Sequence, residues 1–99
     1  MRAEPVKVPI VAFCKKYNLS PREQDVLQLM IERVVNAEDI SQKLGISQNT
    51  VRIHVKNINS KVGARSKTEI LSAFIDFLEK HYEKILLNYA ANPVAQVVP

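Results

Sequence analysis

The 99-residue sequence has a single cysteine, two glycines and no acidic residue between Ile40 and Lys67. With Cys14 alone, no internal disulfide can form and nothing points to an oxidising compartment. Flanked by Val11, Ala12 and Phe13, that thiol is expected to be a small buried hydrophobe. Gly45 and Gly63 are too few and too far apart for a glycine-rich phosphate loop. The prolines at 5, 9, 21, 93 and 99 avoid every helix interior, and no segment sustains the alternation of a half-buried strand. An all-α fold is the expectation. The apolar run Val8 to Cys14 is too short to span a bilayer and lacks a cleavage pattern, so a cytoplasmic chain without a membrane partner is expected. His54, His81 and Cys14 lack metal-ligand spacing. No nucleophile can be matched with a base and an orienting partner. Neither a metal site, a cofactor nor an enzymatic activity is expected.

What is present is a cationic middle. Residues 40–67 hold Lys43, Arg52, Lys56, Lys61, Arg65 and Lys67, whereas the segments before and after are balanced or acidic. The net charge of +4 is therefore concentrated in one region. A one-signed patch on a small domain suits a polyanion, with counterion release from phosphates supplying affinity.

Capping chemistry marks four helix starts. Ser20-Pro21-Arg22-Glu23 is a capping box with proline at the first helical position. The helix after it buries Val26, Leu27, Met30 and Ile31. Asn36-Ala37-Glu38-Asp39 opens a second helix, with two acids favoured by the helix dipole. That helix buries Ile40 and Leu44 and stops at Gly45. Ser47 caps a third, about residues 48–61, with core positions Val51, Val55, Ile58 and Val62. Ser66-Lys67-Thr68-Glu69 reads as another capping box, starting a fourth helix with no breaker before Asn92-Pro93. The segment Pro9 to Tyr17 reads as an N-terminal arm or a short helix of its own.

The unit Ile40-Ser41-x-x-Leu44-Gly45-Ile46-Ser47-x-x-Thr50-Val51 has the form of a helix-turn-helix. Ile40, Leu44 and Val51 fit the crossing of two helices, Ser41 allows close approach, and Gly45 suits a positive φ at the corner. The helix after the turn carries Gln48, Asn49, Arg52, Ile53 and Lys56 opposite its apolar face. These are the donors, acceptors and apolar contact needed at base edges in a major groove, with Arg52 suited to guanine and Ile53 to a thymine methyl. Ser47, Thr50, Lys61, Arg65 and Lys67 suit the DNA backbone. His54, one turn from Val51 and Ile58, is expected to be a packed, hydrogen-bonded residue.

Taken together, these residues resemble the LuxR/GerE-type DNA-binding domain. The resemblance runs over about residues 19 to 75, through Leu19-Ser20-Pro21-Arg22-Glu23-x-x-Val26-Leu27, the turn unit continued as Val51-Arg52-x-His54, and Ile58-x-x-Lys61-Val62-Gly63. It implies a four-helix domain that binds double-stranded DNA as a dimer. Arg52, Ile53 and Lys56 would be its base-reading positions, with backbone contacts around Thr50 and Lys61. Glu23 would hold the scaffold. This chain departs from the family at the end of its first helix, where Glu32-Arg33-Val34-Val35-Asn36 replaces the usual glycine-containing turn with a segment one residue longer.

The fourth helix carries two stripes. Ile70, Ala73, Phe74 and Phe77 seal the domain core. Leu71, Ile75, Leu78, Tyr82, Ile85 and Tyr89 recur at steps of four and three, the spacing of a coiled-coil seam, and are expected to form a homodimer interface unless residues 6–17 fold over them. The expected organisation is an arm at 1–18, a helix-turn-helix domain with extended fourth helix at 19–91, and a tail at 92–99. The expected function is sequence-specific DNA binding by a bacterial transcription regulator, with RNA polymerase a candidate partner. Two alternatives stay open: a sigma-factor promoter-binding module, and a protein-interaction module on the same scaffold. The chain fits equally a free-standing regulator and part of a longer one.

Overall fold

A computed structural model describes residues 7–91. The arm before Lys7, the tail at 92–99 with its Asn92-Pro93 stop, and the side chain of Tyr89 lie outside the described residues. Five helices follow one another: α1 (Lys7–Lys16), α2 (Pro21–Ile31), α3 (Ala37–Leu44), α4 (Gln48–Val62) and α5 (Lys67–Ala91). Among the described residues there is no strand, as the sequence predicts.

The caps form where hydroxyls, amides and carboxylates place them. The Ser20 Oγ accepts from the Glu23 amide at 3.2 Å, and the Glu23 carboxylate accepts from the Ser20 amide at 2.9 Å. Asn36 and Ser47 accept from the amides of Asp39 and Thr50 at 2.8 and 3.0 Å. The fourth start differs from expectation. Ser66 Oγ accepts from the Glu69 amide at 3.1 Å, but the Glu69 carboxylate turns to the Arg65 amide at 3.0 Å and to the Arg65 guanidinium. The carboxylate thus caps the amide one position earlier than a capping box would, with the guanidinium at 3.5 Å beside it.

Helix ends are closed by left-handed residues. Gly45 has φ 66° and Gly63 has φ 81°, and the amides of Ile46 and Ala64 reach back to the carbonyls of Ser41 and Asn59 at 3.1 and 2.9 Å. At the end of α2, where the family resemblance leads one to expect a glycine, Arg33 takes φ 73°. The Val34 amide then donates to the Leu29 carbonyl at 2.9 Å and the Arg33 amide to Met30 at 3.0 Å. The same terminating turn is thus built on a residue with a Cβ, which strains it by about 1–2 kcal/mol. Replacing Arg33 with glycine relieves that strain and costs only ~0.4–1 kcal/mol of extra unfolded-state entropy. R33G is therefore expected to stabilise the fold by about 0.5–1 kcal/mol, seen as a rise in the thermal midpoint.

The core joins all five helices. Val26, Leu27, Ile40, Val51, Ile58 and Ile70 are fully buried, with α4 packed on α2, α3 and α5. The first segment is more than an arm. α1 buries Ile10, Phe13 and Cys14, and the Phe13 ring meets Phe74 and Phe77 edge-on at 5.4 and 5.5 Å between centroids. Burying each of Ile10 and Phe13 stabilises the fold by ~1.5–3 kcal/mol. α1 thus covers the Phe74–Phe77 stripe of α5, not the Ile75–Tyr82–Ile85 stripe, whose three residues stay 44–54% exposed. None of the described helices is long and apolar enough to cross a membrane.

Candidate nucleic-acid interface

The turn between α3 and α4 is set by small side chains and one left-handed residue. Ser41 is buried where the two helices cross, and its hydroxyl donates to the Glu38 carbonyl at 2.7 Å. That bond satisfies a polar group that would otherwise be costly at the crossing. Ile40 and Val51 are fully buried across the same contact, and Ile46 packs on the core from the corner.

On α4, Val51, Val55 and Ile58 point inward, each no more than 8% exposed. Gln48, Asn49, Arg52, Ile53, Lys56, Asn57 and Ser60 are exposed. No acidic residue lies on this helix, so nothing on its own surface neutralises the outward face. Arg52 donates to the Gln48 side chain at 3.3 Å, which holds the guanidinium along the first turn. Among the described residues Lys56 and Lys43 have no ion-pair partner. At the helix entrance, Ser47 Oγ lies 2.9 Å from Thr50 Oγ1, so the two hydroxyls form one polar cluster at the positive end of the helix dipole.

The remaining cations are engaged. The Lys61 ammonium lies 2.8 Å from Glu23 Oε1, with the carboxylate side chain only 5% exposed. Burial alone pushes the Glu23 carboxyl up, but the Lys61 ammonium and the Ser20 amide and hydroxyl hold it below its ordinary value. The C-terminal end of α4 is in this way pinned to the N-terminal cap of α2. Lys67 donates to the Val35 carbonyl at 2.7 Å, tying the start of α5 to the segment between α2 and α3. Arg65, 89% exposed, keeps a loose contact with Glu69 at 3.5 Å.

Arg52, Ile53 and Lys56 therefore share one outward face with Gln48 and Asn49, whereas Lys61 and Lys67 are spent on holding elements together. The only hint of this pinning in the sequence was the scaffold role that the family resemblance implies for Glu23, since no periodicity links residues 38 apart. His54 is half-buried and its Nδ1 has no hydrogen-bond partner among the described residues. The hydrogen bond expected of it is not made by that atom. Among the described residues no three His, Cys, Asp or Glu side chains gather as a metal site would require.

The chain is similar in sequence to several regulatory proteins. The regulatory protein SdiA of Escherichia coli is 37% identical over 60 residues, which is 61% of this chain and 25% of SdiA. The nitrate/nitrite response regulator NarL of Escherichia coli is 37% identical over 51 residues, covering 52% of this chain and 23% of NarL. A putative HTH-type transcriptional regulator of Mycobacterium bovis is 33% identical over 54 residues, 54% of this chain and 6% of that protein. The chain thus spans about a quarter or less of the relatives it matches. No solved structure matches it. Residues 17–74 match the GerE profile described as bacterial regulatory proteins, luxR family, and on that match, over more than half its length, the chain belongs to the LuxR family.

Proposed function

We propose that this chain binds double-stranded DNA sequence-specifically as a bacterial transcription regulator, with α4 lying in a major groove. The observation that carries the reading is the outward face of α4: polar and cationic, free of acids and uncovered by any other described element. Gln48, Asn49, Arg52, Ile53 and Lys56 would read base edges. Ser47, Thr50 and Arg65 would meet phosphates and set the register. In this reading Lys61 and Lys67 act as positioning residues, since their ammonium groups already hold Glu23 and Val35. The test is a salt titration of affinity for duplex DNA. Association should weaken linearly in log–log form, with a slope of about −0.9 for each phosphate neutralised. A folded protein with no salt-sensitive duplex affinity would overturn the reading in favour of a protein-interaction module.

We further propose a homodimer through α5. Ile75, Tyr82 and Ile85 are 54%, 44% and 48% exposed on a stripe with coiled-coil spacing, and α1 lies on the other side of the helix. A second copy would bury that stripe, and two α4 helices would then read half-sites about 10 bp apart or a multiple of that. Sedimentation at micromolar concentration should give a dimer, and I75E should give a monomer. A wild-type protein that sediments as a strict monomer would remove the dimer.

A further inference from the structure

A second cationic surface lies away from α4, where the end of α1 meets the middle of α5. Lys16, Phe77, Lys80, His81 and Lys84 line a hollow of about 250 Å³ there. Its floor is aromatic, with the Phe77 and His81 rings stacked at 6.4 Å between centroids and 18° between planes. Its rim is ammonium. Lys16 Nζ stands 5.5 Å from the centre of the Phe77 ring and 5.2 Å from that of Tyr17. Lys80 meets Asp76 at 3.1 Å in an exposed pair, and Lys16 and Lys84 have no acidic partner among the described residues. Glu79 and Glu83 line a separate hollow with Leu78 and Leu86, on another flank of α5.

Helix dipoles explain only part of this cluster. A lysine in the last turn of α1 answers the negative end of that helix, which accounts for Lys16. Lys80 and Lys84 stand inside α5, beyond the reach of either helix end. All five lining residues fall outside residues 17–74, the stretch that matches the LuxR family. The hollow is also remote from the duplex proposed above. Arg65 precedes α5, and Lys80 and Lys84 lie about 20–25 Å further along the helix axis, at 1.5 Å per residue.

We infer that this hollow docks an acidic segment of a partner protein. One apolar side chain of the segment rests on the Phe77–His81 floor, and its carboxylates meet Lys16, Lys80 and Lys84. Charge and shape together select that occupant. A phosphate alone would leave the aromatic floor unused, and a wholly apolar segment would cover three ammonium groups without pairing them. Exposed ion pairs are individually weak, so the apolar anchor supplies affinity and the lysines select the sign of the partner. Docking here leaves the outward face of α4 uncovered, so the partner and a duplex bind at once.

The test is a titration of the full nitrogen-15-labelled chain with a synthetic peptide, read by amide NMR shifts. The peptide carries one phenylalanine between two runs of four glutamates, and a control carries serine in its place. Saturable shifts should centre on Lys16, Phe77, Lys80, His81 and Lys84, and the serine peptide should bind more weakly. K80Q/K84Q should lose about 3- to 10-fold in peptide affinity, the size expected of two exposed ion pairs. K80R/K84R should keep it, and the spectra report that both variants are folded. Saturating duplex should leave peptide affinity unchanged. The titration is run without duplex as well, so it stands whether or not α4 binds DNA. Unmoved amides at the hollow, equal binding of the serine peptide, or displacement of the peptide by duplex would each overturn the inference. A duplex salt slope lowered by about two in K80Q/K84Q would overturn it too, assigning the lysines to phosphates.

Discussion

Replacing Lys61 with alanine lowers the stability of the folded domain by about 1–3 kcal/mol, while the salt dependence of duplex binding keeps its slope. A fully buried ion pair broken on one side costs ~3–5 kcal/mol. Lys61 is 36% exposed, so water screens part of that loss. What remains is a carboxylate at 5% exposure that retains Ser20 but loses its cation. A fall in melting midpoint of several degrees is the expected reading for a domain of this size. Had Lys61 been a phosphate contact only, the midpoint would stand still and the salt slope would drop by about one.

The same pair gives the effect a pH signature. The folded Glu23 carboxyl sits below its ordinary value of 4.5, so its stabilisation is complete above that value and is lost as pH falls through the lower folded one. In K61A, burial is no longer opposed by the ammonium and this acid-side loss shrinks. The stability gap between wild type and K61A should therefore narrow below pH 4.5. E23Q should be insensitive to the state of residue 61 in the same range. A gap that stays constant through acid would contradict the pairing.

Replacing Arg52 with alanine should leave stability unchanged, because the side chain is exposed and its one partner, Gln48, is a neighbour on the same helix. On the preferred duplex the loss should be about 1–3 kcal/mol, roughly 5- to 150-fold in affinity, with relaxed choice at one base position. Comparing R52A and K61A is informative because the two cations lie on the same helix. One should change specificity without changing stability, and the other the reverse. If both weakened all sequences alike, the division of roles along α4 would be wrong.

Much of this division could be read from residue order. The caps at Ser20, Asn36 and Ser47, the corner at Gly45 and the inward set Val51, Val55 and Ile58 are local features, decided within a few residues by hydrogen-bond satisfaction and helical period. The outward face of α4 followed from that period. Features that depend on distant partners were less legible. Lys61 and Lys67 look like any other cations in a basic stretch until the fold brings Glu23 and the Val35 carbonyl to them. Arg33 in a left-handed turn was hidden because nothing about arginine announces a positive φ. The role of α1 was only half visible. Its apolar residues marked it as sticky, but which stripe of α5 it covers is decided by the aromatic packing of Phe13 on Phe74 and Phe77.

The outward face of α4 is tested most directly by selecting bound sequences from a pool of random duplexes, with wild-type protein and R52A side by side. Wild type should enrich a motif of two half-sites at a fixed spacing near a whole number of helical turns. R52A should enrich the same motif with one base pair per half-site no longer specified. Recovery of unenriched sequence by wild-type protein, at a salt concentration where it still binds duplex, would contradict the assignment of Gln48, Asn49, Arg52, Ile53 and Lys56 as a base-reading surface.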